Sequence, residues 1–364
     1  MSLPPALRAL VRDELAEVEA YAPHEGSFEV RLDANEAPDL LSRDARARLA
    51  SAAVEHGMAR YPDARARALK DALARRAGAR PDELLVGVGS DEVIALLLSA
   101  LDRPRKKGQP PAIVTCTPTF VMYRVSAKVR GYVVVEVPLD AAWRPSLPSL
   151  LHAVEMVDPN LVFVASPNNP TGTTMARDDV LALARAAKGA LVVIDEAYAP
   201  FAGASLGDLF GAAPNLAFLG TLSKIGLAAL RVGWLRAHPE LIAELDKVRQ
   251  PYNVPAVTQR MATVALTELS AELDAVVRVV REERARLSLE LERMGHAVTP
   301  SAANFLWVKP ARPATEVFAA LAERGVLVRA FPQRGGRVAA QLRITVGTPG
   351  ENDRLLAAMA RCGG

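Results

Sequence analysis

Seven short apolar runs, each bounded by turn residues, constrain this chain more than any other feature. They are LLVGV (84–88), AIVTC (112–116), YVVVEV (132–137), LVFVAS (161–166), ALVVID (190–195), LAFLG (216–220) and VGWLR (232–236). Runs this short and this uniformly apolar read as strands buried on both faces. Helix-like stretches lie between most of them: DEVIALLLSALD follows the first, and ARDDVLALARAAK precedes ALVVID. Alternation of this kind predicts an α/β fold in which a mainly parallel, seven-stranded sheet lies between helices.

Past Pro255 the period changes. Leu266, Leu269, Leu273, Val276 and Val280 recur three or four residues apart, and REERARLSLELER follows, so one long helix to Met294, or two broken near Ser270, leaves the sheet. After it come NFLWV (304–308), the helix-like TEVFAALAERG, VLVRA (326–330), QLRITV (341–346) and a closing helix from Glu351. The chain therefore divides into an N-terminal arm (1–30), a large domain (31–260) and a smaller α/β C-terminal domain (261–364) reached by the long helix. At 364 residues it exceeds what one compact domain usually holds. The arm is too short for a core of its own and is expected to pack on the rest of the chain or on a partner.

Composition excludes several function classes. Lys and Arg number 44 against 41 Asp and Glu, and the two signs are interleaved, so no nucleic-acid partner is implied. Arg8, Arg12, Asp13, Glu14 and Glu17 stand where a signal peptide needs an apolar core, and no eighteen-residue uncharged apolar run occurs, so neither export nor a membrane is expected. Cys116 and Cys362 form no disulfide framework and suit a reducing, cytoplasmic setting. His24, His56, His152, His238 and His296 are too scattered for a metal site. No nucleophile elbow with a Ser-His-Asp order is present.

Chemistry concentrates where apolar runs end. TLSKIGLAALRVGW (221–234) puts Lys224 just past a strand, between the hydroxyls Thr221 and Ser223 and Arg231 seven residues on. Lysine condenses with aldehydes, and a guanidinium with hydroxyls suits a phosphate dianion, although a surface lysine beside a glycine turn would look the same. ALVVIDEAYAPF delivers Asp195 and Glu196 at a strand end with Tyr198 three residues after the aspartate. In open α/β sheets that end faces the ligand, although an acidic pair there could also cap a helix. SPNNPTGT (166–173) places Asn169 in a Pro-Thr-Gly turn after another strand. LLVGVGSDEVIALLL leads through Gly87, Gly89, Ser90 and Asp91 into a helix whose free amides could hold phosphate, with Asp91 equally readable as an N-cap. It lacks the third glycine of a dinucleotide fingerprint and the Lys-Ser/Thr of a P-loop.

Taken together and in this order, the segments resemble the fold-type I pyridoxal-phosphate aminotransferases over essentially the whole chain. Within them the sequence is most similar to the histidinol-phosphate aminotransferases, through Tyr21 before a proline, RLDANEAP (31–38), RYPD (60–63), GSDE (89–92), TPTFVMY (117–123), SPNNPTG, DEAY, TLSK and LRITVG (342–347). The resemblance implies a pyridoxal 5'-phosphate cofactor in Schiff-base linkage to Lys224, which would also carry the proton. Asp195 would pair with the pyridinium nitrogen, and Asn169 and Tyr198 with the phenolate oxygen. Ser90, Asp91, Thr221, Ser223 and Arg231 would hold the phosphate, Phe120 would lie on the ring face, and Tyr61 would reach the other subunit's cofactor phosphate in a homodimer with shared sites.

On the substrate side the resemblance places Arg343 on a carboxylate, Arg329 on the substrate's phosphate, and Tyr21 and Asn35 around them. The partners so implied are a small-molecule amino donor and a 2-oxo acid: L-histidinol phosphate and 2-oxoglutarate, in histidine synthesis. Aromatic amino-acid transamination is a rival, and a threonine-phosphate decarboxylase-like lyase another. A regulatory module of this fold would need a fused DNA-binding domain, for which the residues ahead of the sheet leave no room. Two departures stand out: Phe120 occupies a position where several relatives have tyrosine, and the Lys224-to-Arg231 interval is one residue shorter than in many aminotransferases.

Overall fold

The structure is a computed structural model that describes residues 3–13, 15, 26–55, 57 and 59–362. Its strands in chain order are β1 (Val30–Arg31), β2 (Leu84–Val88), β3 (Ala112–Thr117), β4 (Val133–Pro138), β5 (Leu161–Ala165), β6 (Leu191–Asp195), β7 (Leu216–Thr221), β8 (Val232–Arg236), β9 (Ala297–Thr299), β10 (Phe305–Lys309), β11 (Val326–Leu327), β12 (Arg329–Ala330) and β13 (Leu342–Thr345). All seven apolar runs become strands of one seven-stranded sheet, ordered β2-β8-β7-β6-β5-β3-β4. The pairs β3–β4, β3–β5, β5–β6 and β6–β7 are parallel, and β8 runs antiparallel to β7 and β2.

The uniform apolarity of the central strands matches their burial. Every residue of β5 and β7 is buried. One face packs Val114, Val162, Val192 and Ile194 against the helices Leu147–Val157 and Arg177–Ala186. The other packs Ile113, Phe163, Val193 and Leu219 against the helix Gly89–Ala100 and Tyr123. At about 25 cal/mol per Å² of apolar surface removed from water, this two-sided burial is what makes the strands, rather than the helices, the rigid frame.

The C-terminal part holds a four-stranded antiparallel sheet, ordered β12-β13-β10-β9. The long amphipathic stretch forms two helices, Ala256–Thr267 and Ser270–Arg293, with the break at Glu268 and Leu269. VLVRA divides in two: β11 pairs with β1, whereas β12 pairs with β13. Residues 30–35, which the sequence reading puts at the arm's end and the start of the large domain, are thus bonded to C-terminal elements. Thr345 N donates to Leu32 O at 2.9 Å and Asn304 Nδ2 to Asn35 O at 3.0 Å. The described arm residues 3–13 are exposed. No described helix is long and apolar enough to cross a membrane.

Gly220 on β7 faces Trp234 on β8, and a Cβ there would sit 2.4 Å from the indole ring. The indole is half-buried and packed against the core, so Gly220→Ala should destabilise the protein by about 1–3 kcal/mol. Gly350→Ala, in open space in the first turn of the closing helix, should be neutral or mildly stabilising. Urea denaturation midpoints of the two variants test the difference.

Candidate active site

Strands β3, β5, β6 and β7 all end on the same edge of the sheet, and their carboxyl ends deliver most of the residues singled out from sequence. Asp195 closes β6 and is 4% exposed. Its Oδ2 accepts from the Tyr123 hydroxyl at 2.5 Å and its Oδ1 from Ala197 N at 2.9 Å. Burial pushes the carboxyl above its ordinary pKa, while those two donors and the positive charge of Lys224 oppose the shift. A cation placed against Asp195 would therefore find a carboxylate already oriented by two hydrogen bonds.

Tyr123 is the residue sequence reasoning missed. It lies within TPTFVMY but received no role there, because a tyrosine inside an apolar helix looks like core. The structure buries it completely, stacks it on Phe163 with ring centroids 4.9 Å apart, and sets Phe120 edge-on at 5.5 Å. Desolvation, and then the charge of Asp195, raise its phenol well above the ordinary value, so it stays a donor. Its three-residue spacing from Phe120, one turn of the helix Val121–Lys128, was the available signal.

Lys224 follows β7 in the turn Ser223–Leu227, whose backbone leaves helical conformation at Ile225 and at Gly226, which takes φ 93°. Its Nζ lies 5.7 Å from the centroid of the Tyr198 ring. The Tyr198 hydroxyl accepts from Asn35 Nδ2 at 2.9 Å, and Asn35 N donates to Thr345 Oγ1 at 3.0 Å. Asn169 Oδ1 accepts from Arg343 Nη1 at 2.7 Å, and Arg343 Nη2 also donates to the Asp33 carbonyl. Arg329 and Arg343 are directly opposed on β12 and β13, so their side chains leave the same face of the small sheet. Register thus sets Arg329 across from Arg343, whose guanidinium touches Asn169.

A second cluster gathers around the start of the helix Gly89–Ala100. Arg231, in left-handed conformation at φ 50°, accepts at its carbonyl from Gly89 N at 2.8 Å. Its Nη1 donates to Ser223 Oγ at 3.2 Å, and its Nη2 lies 3.5 Å from Asp91 Oδ2. The short Lys224-to-Arg231 interval therefore still brings the guanidinium to Ser223, because Gly226 and Arg231 both take positive φ. Thr221 Oγ1 lies 3.0 Å from Ser223 Oγ. Asp91 is the third residue of the helix rather than its cap, and its Oδ1 is buried without a hydrogen-bond partner. A Cβ on Gly89 would fall 2.5 Å from Arg231 Nη2, and one on Gly233 2.3 Å from Ser90 N. Helix amides, hydroxyls and one guanidinium around so tight a crevice suit a phosphate dianion.

One expected site residue stands apart from this assembly: Tyr61 is 78% exposed and stacks on Tyr252 with centroids 4.6 Å apart. Tyr21 lies outside the described residues. Among the described residues no group of His, Cys, Asp and Glu could hold a metal ion.

Comparisons with known proteins show the family. The family model described as aminotransferase class I and II matches residues 29–359. The histidinol-phosphate aminotransferase of Chromobacterium violaceum is 41% identical over 98% of each chain, and that of Roseiflexus castenholzii is 39% identical over 97% of this chain and 98% of the relative. The crystal structure of histidinol-phosphate aminotransferase from Sinorhizobium meliloti, in complex with pyridoxal-5'-phosphate, superposes with a TM-score of 0.86 at 25% identity, covering 97% of both chains. With a family match across nearly its whole length and relatives this similar, the chain belongs to the class I and II aminotransferases.

Proposed function

We propose that the protein is a pyridoxal-phosphate-dependent transaminase exchanging the amino group between L-histidinol phosphate and 2-oxoglutarate. The observation that carries the choice of donor is the cross-strand pairing of Arg329 with Arg343, which in turn touches Asn169. Relatives named histidinol-phosphate aminotransferase at 38–41% identity support it. The donor set fits the cofactor at both ends: hydroxyls, a helix start and a guanidinium at Ser90, Asp91, Thr221, Ser223 and Arg231, and a buried carboxylate, Asp195, oriented by two hydrogen bonds.

Bound pyridoxal phosphate supplies an aldehyde that condenses with amines and a ring that draws electrons from the carbon losing its proton. Asp195 would hold a proton on the ring nitrogen. Tyr198 and Asn169 would offer hydrogen bonds to the ring oxygen, with Asn35 orienting Tyr198 and Arg343 orienting Asn169. Phe120 would lie against the ring. The Lys224 amine would carry the proton that leaves the donor's amine-bearing carbon.

Histidinol phosphate carries a phosphate and an imidazole but no carboxylate, so its only anion is available to either arginine. Glutamate has carboxylates alone. In this reading Arg329 holds the donor phosphate, whereas Arg343 serves the glutamate half-reaction and shares the phosphate when histidinol phosphate binds. The substrate-facing role of Tyr21 belongs to the same reading. The exposed Tyr61 supports a homodimer in which that residue reaches the partner's phosphate site. Two buried free thiols, Cys116 and Cys362, support a reducing cytoplasmic setting.

The direct test mixes cofactor-loaded protein with single amino donors and follows the visible absorbance of the bound cofactor. L-Histidinol phosphate should convert it fully and fastest, phenylalanine slowly or not at all, and Lys224→Ala should show no turnover. Carbon dioxide release from threonine phosphate would instead favour the lyase.

Arg329→Ala should lower kcat/KM for histidinol phosphate by about tenfold to a hundredfold, since a charge-assisted pair contributes about 1.5–3 kcal/mol. Any phenylalanine turnover should fall much less. Arg343→Ala should chiefly damage the glutamate half-reaction. Equal losses on phosphate-bearing and phosphate-free donors in Arg329→Ala would count against histidinol phosphate.

A further inference from the structure

The segment between the helices Pro239–Val248 and Ala256–Thr267 touches two places that the reaction needs. On one side Asn253 Nδ2 donates to Glu92 Oε2 at 2.8 Å, and the same oxygen accepts from Val88 N at 2.5 Å. Glu92 follows directly on Ser90 and Asp91 at the phosphate crevice, and a Cβ on Gly87 would meet its carboxylate at 2.9 Å. On the other side Arg249, its side chain only 10% exposed, donates from Nη2 to Ala64 O at 3.0 Å and from Nη1 to Asn253 Oδ1 at 2.8 Å. Gln259 Nε2 adds a bond to Asp63 O at 3.0 Å. The turn that carries Tyr61 is thus fastened to the phosphate crevice of its own chain through Arg249, Asn253 and Glu92.

Tyr252 sits in the middle of this bracket and holds the Tyr61 ring. The two rings lie 4.6 Å apart at 16°, and both are exposed, Tyr252 at 42%. Tyr252 takes φ 58°, a left-handed conformation that a non-glycine residue rarely adopts. A lone tyrosine on an exposed turn would sample several rotamers. A stacking partner on a fixed backbone removes that freedom before any second chain arrives.

We propose that Tyr252 is a positioning residue: it sets the Tyr61 ring in advance so that its hydroxyl reaches the cofactor phosphate held by a second copy of this chain. This rests on the shared-site reading above. Only the ring of Tyr252 is used, so Tyr252→Phe should behave as wild type.

The experiment titrates apoprotein with pyridoxal phosphate and reads the bound cofactor's absorbance, with sedimentation confirming dimers and circular dichroism confirming the fold. Tyr61→Phe should weaken binding about tenfold, the loss of one hydrogen bond to a dianion. Tyr252→Ala should weaken it to a similar degree, and the double variant no further, because both changes remove the same contact. If Tyr252→Ala fails to fold, Tyr252→Leu takes its place. Wild-type affinity in Tyr61→Phe would overturn the shared-site reading and this proposal with it. Weakened binding in Tyr61→Phe but wild-type affinity in Tyr252→Ala, additive losses in the double variant, or a Tyr252→Phe loss equal to that of Tyr252→Ala would overturn the positioning role alone.

Discussion

The site depends on one buried carboxylate. Asp195 lies at the end of β6 with 4% of its surface exposed, where an ionised group is costly unless something compensates it. Tyr123 and Ala197 N each donate one hydrogen bond, and these orient the group without neutralising it. The same desolvation that raises its pKa strengthens its attraction to any cation that reaches it. In the proposed reaction that cation is the protonated ring nitrogen. The rest of the site can be understood as holding a flat, phosphate-bearing ring over this carboxylate.

The parallel sheet makes that possible because its strands end together. Lys224 after β7, Asn169 after β5 and Asp195 on β6 reach one edge without any long loop, so their mutual placement is set by backbone pairing rather than by side-chain choice. The phosphate end is fixed differently, through the bond from Gly89 N to Arg231 O and the absence of a Cβ at Gly89 and Gly233. The small sheet then brings in Arg329 and Arg343 by register alone. Arg343 ties the two parts together through Asn169 and the carbonyl of Asp33.

The large sheet was legible because its central strands are buried on both faces and so are apolar throughout, and all seven strands appear where the apolar runs fall, although β4, at the sheet edge, is mostly exposed or half-buried rather than buried on both faces. Lys224, Asp195, Asn169 and Arg231 stood out because they flank those runs, but each alone had a bland alternative, and their expected roles came only from the resemblance carried by all the segments together. What escaped depends on pairing between distant residues. β1 is two residues long and exists only because β11, nearly three hundred residues away, lies beside it. β9 is a part-exposed edge strand with no apolar run to announce it. The spacing of fourteen between Arg329 and Arg343 says nothing of their register, since a 3-10 turn, Pro332–Arg334, and a short helix, Gly336–Ala339, lie between. Tyr123 and Tyr252 were hidden by their surroundings, one inside an apolar helix and the other in a linker.

The role of Asp195 is tested most directly by Asp195→Asn, which keeps the shape and removes the charge. The variant should still bind the cofactor through the phosphate crevice, and its single-turnover rate with L-histidinol phosphate should fall by several orders of magnitude, because an amide cannot hold the ring proton. A fall of less than about tenfold, about 1.4 kcal/mol of barrier, would contradict the pairing on which this view of the site is built.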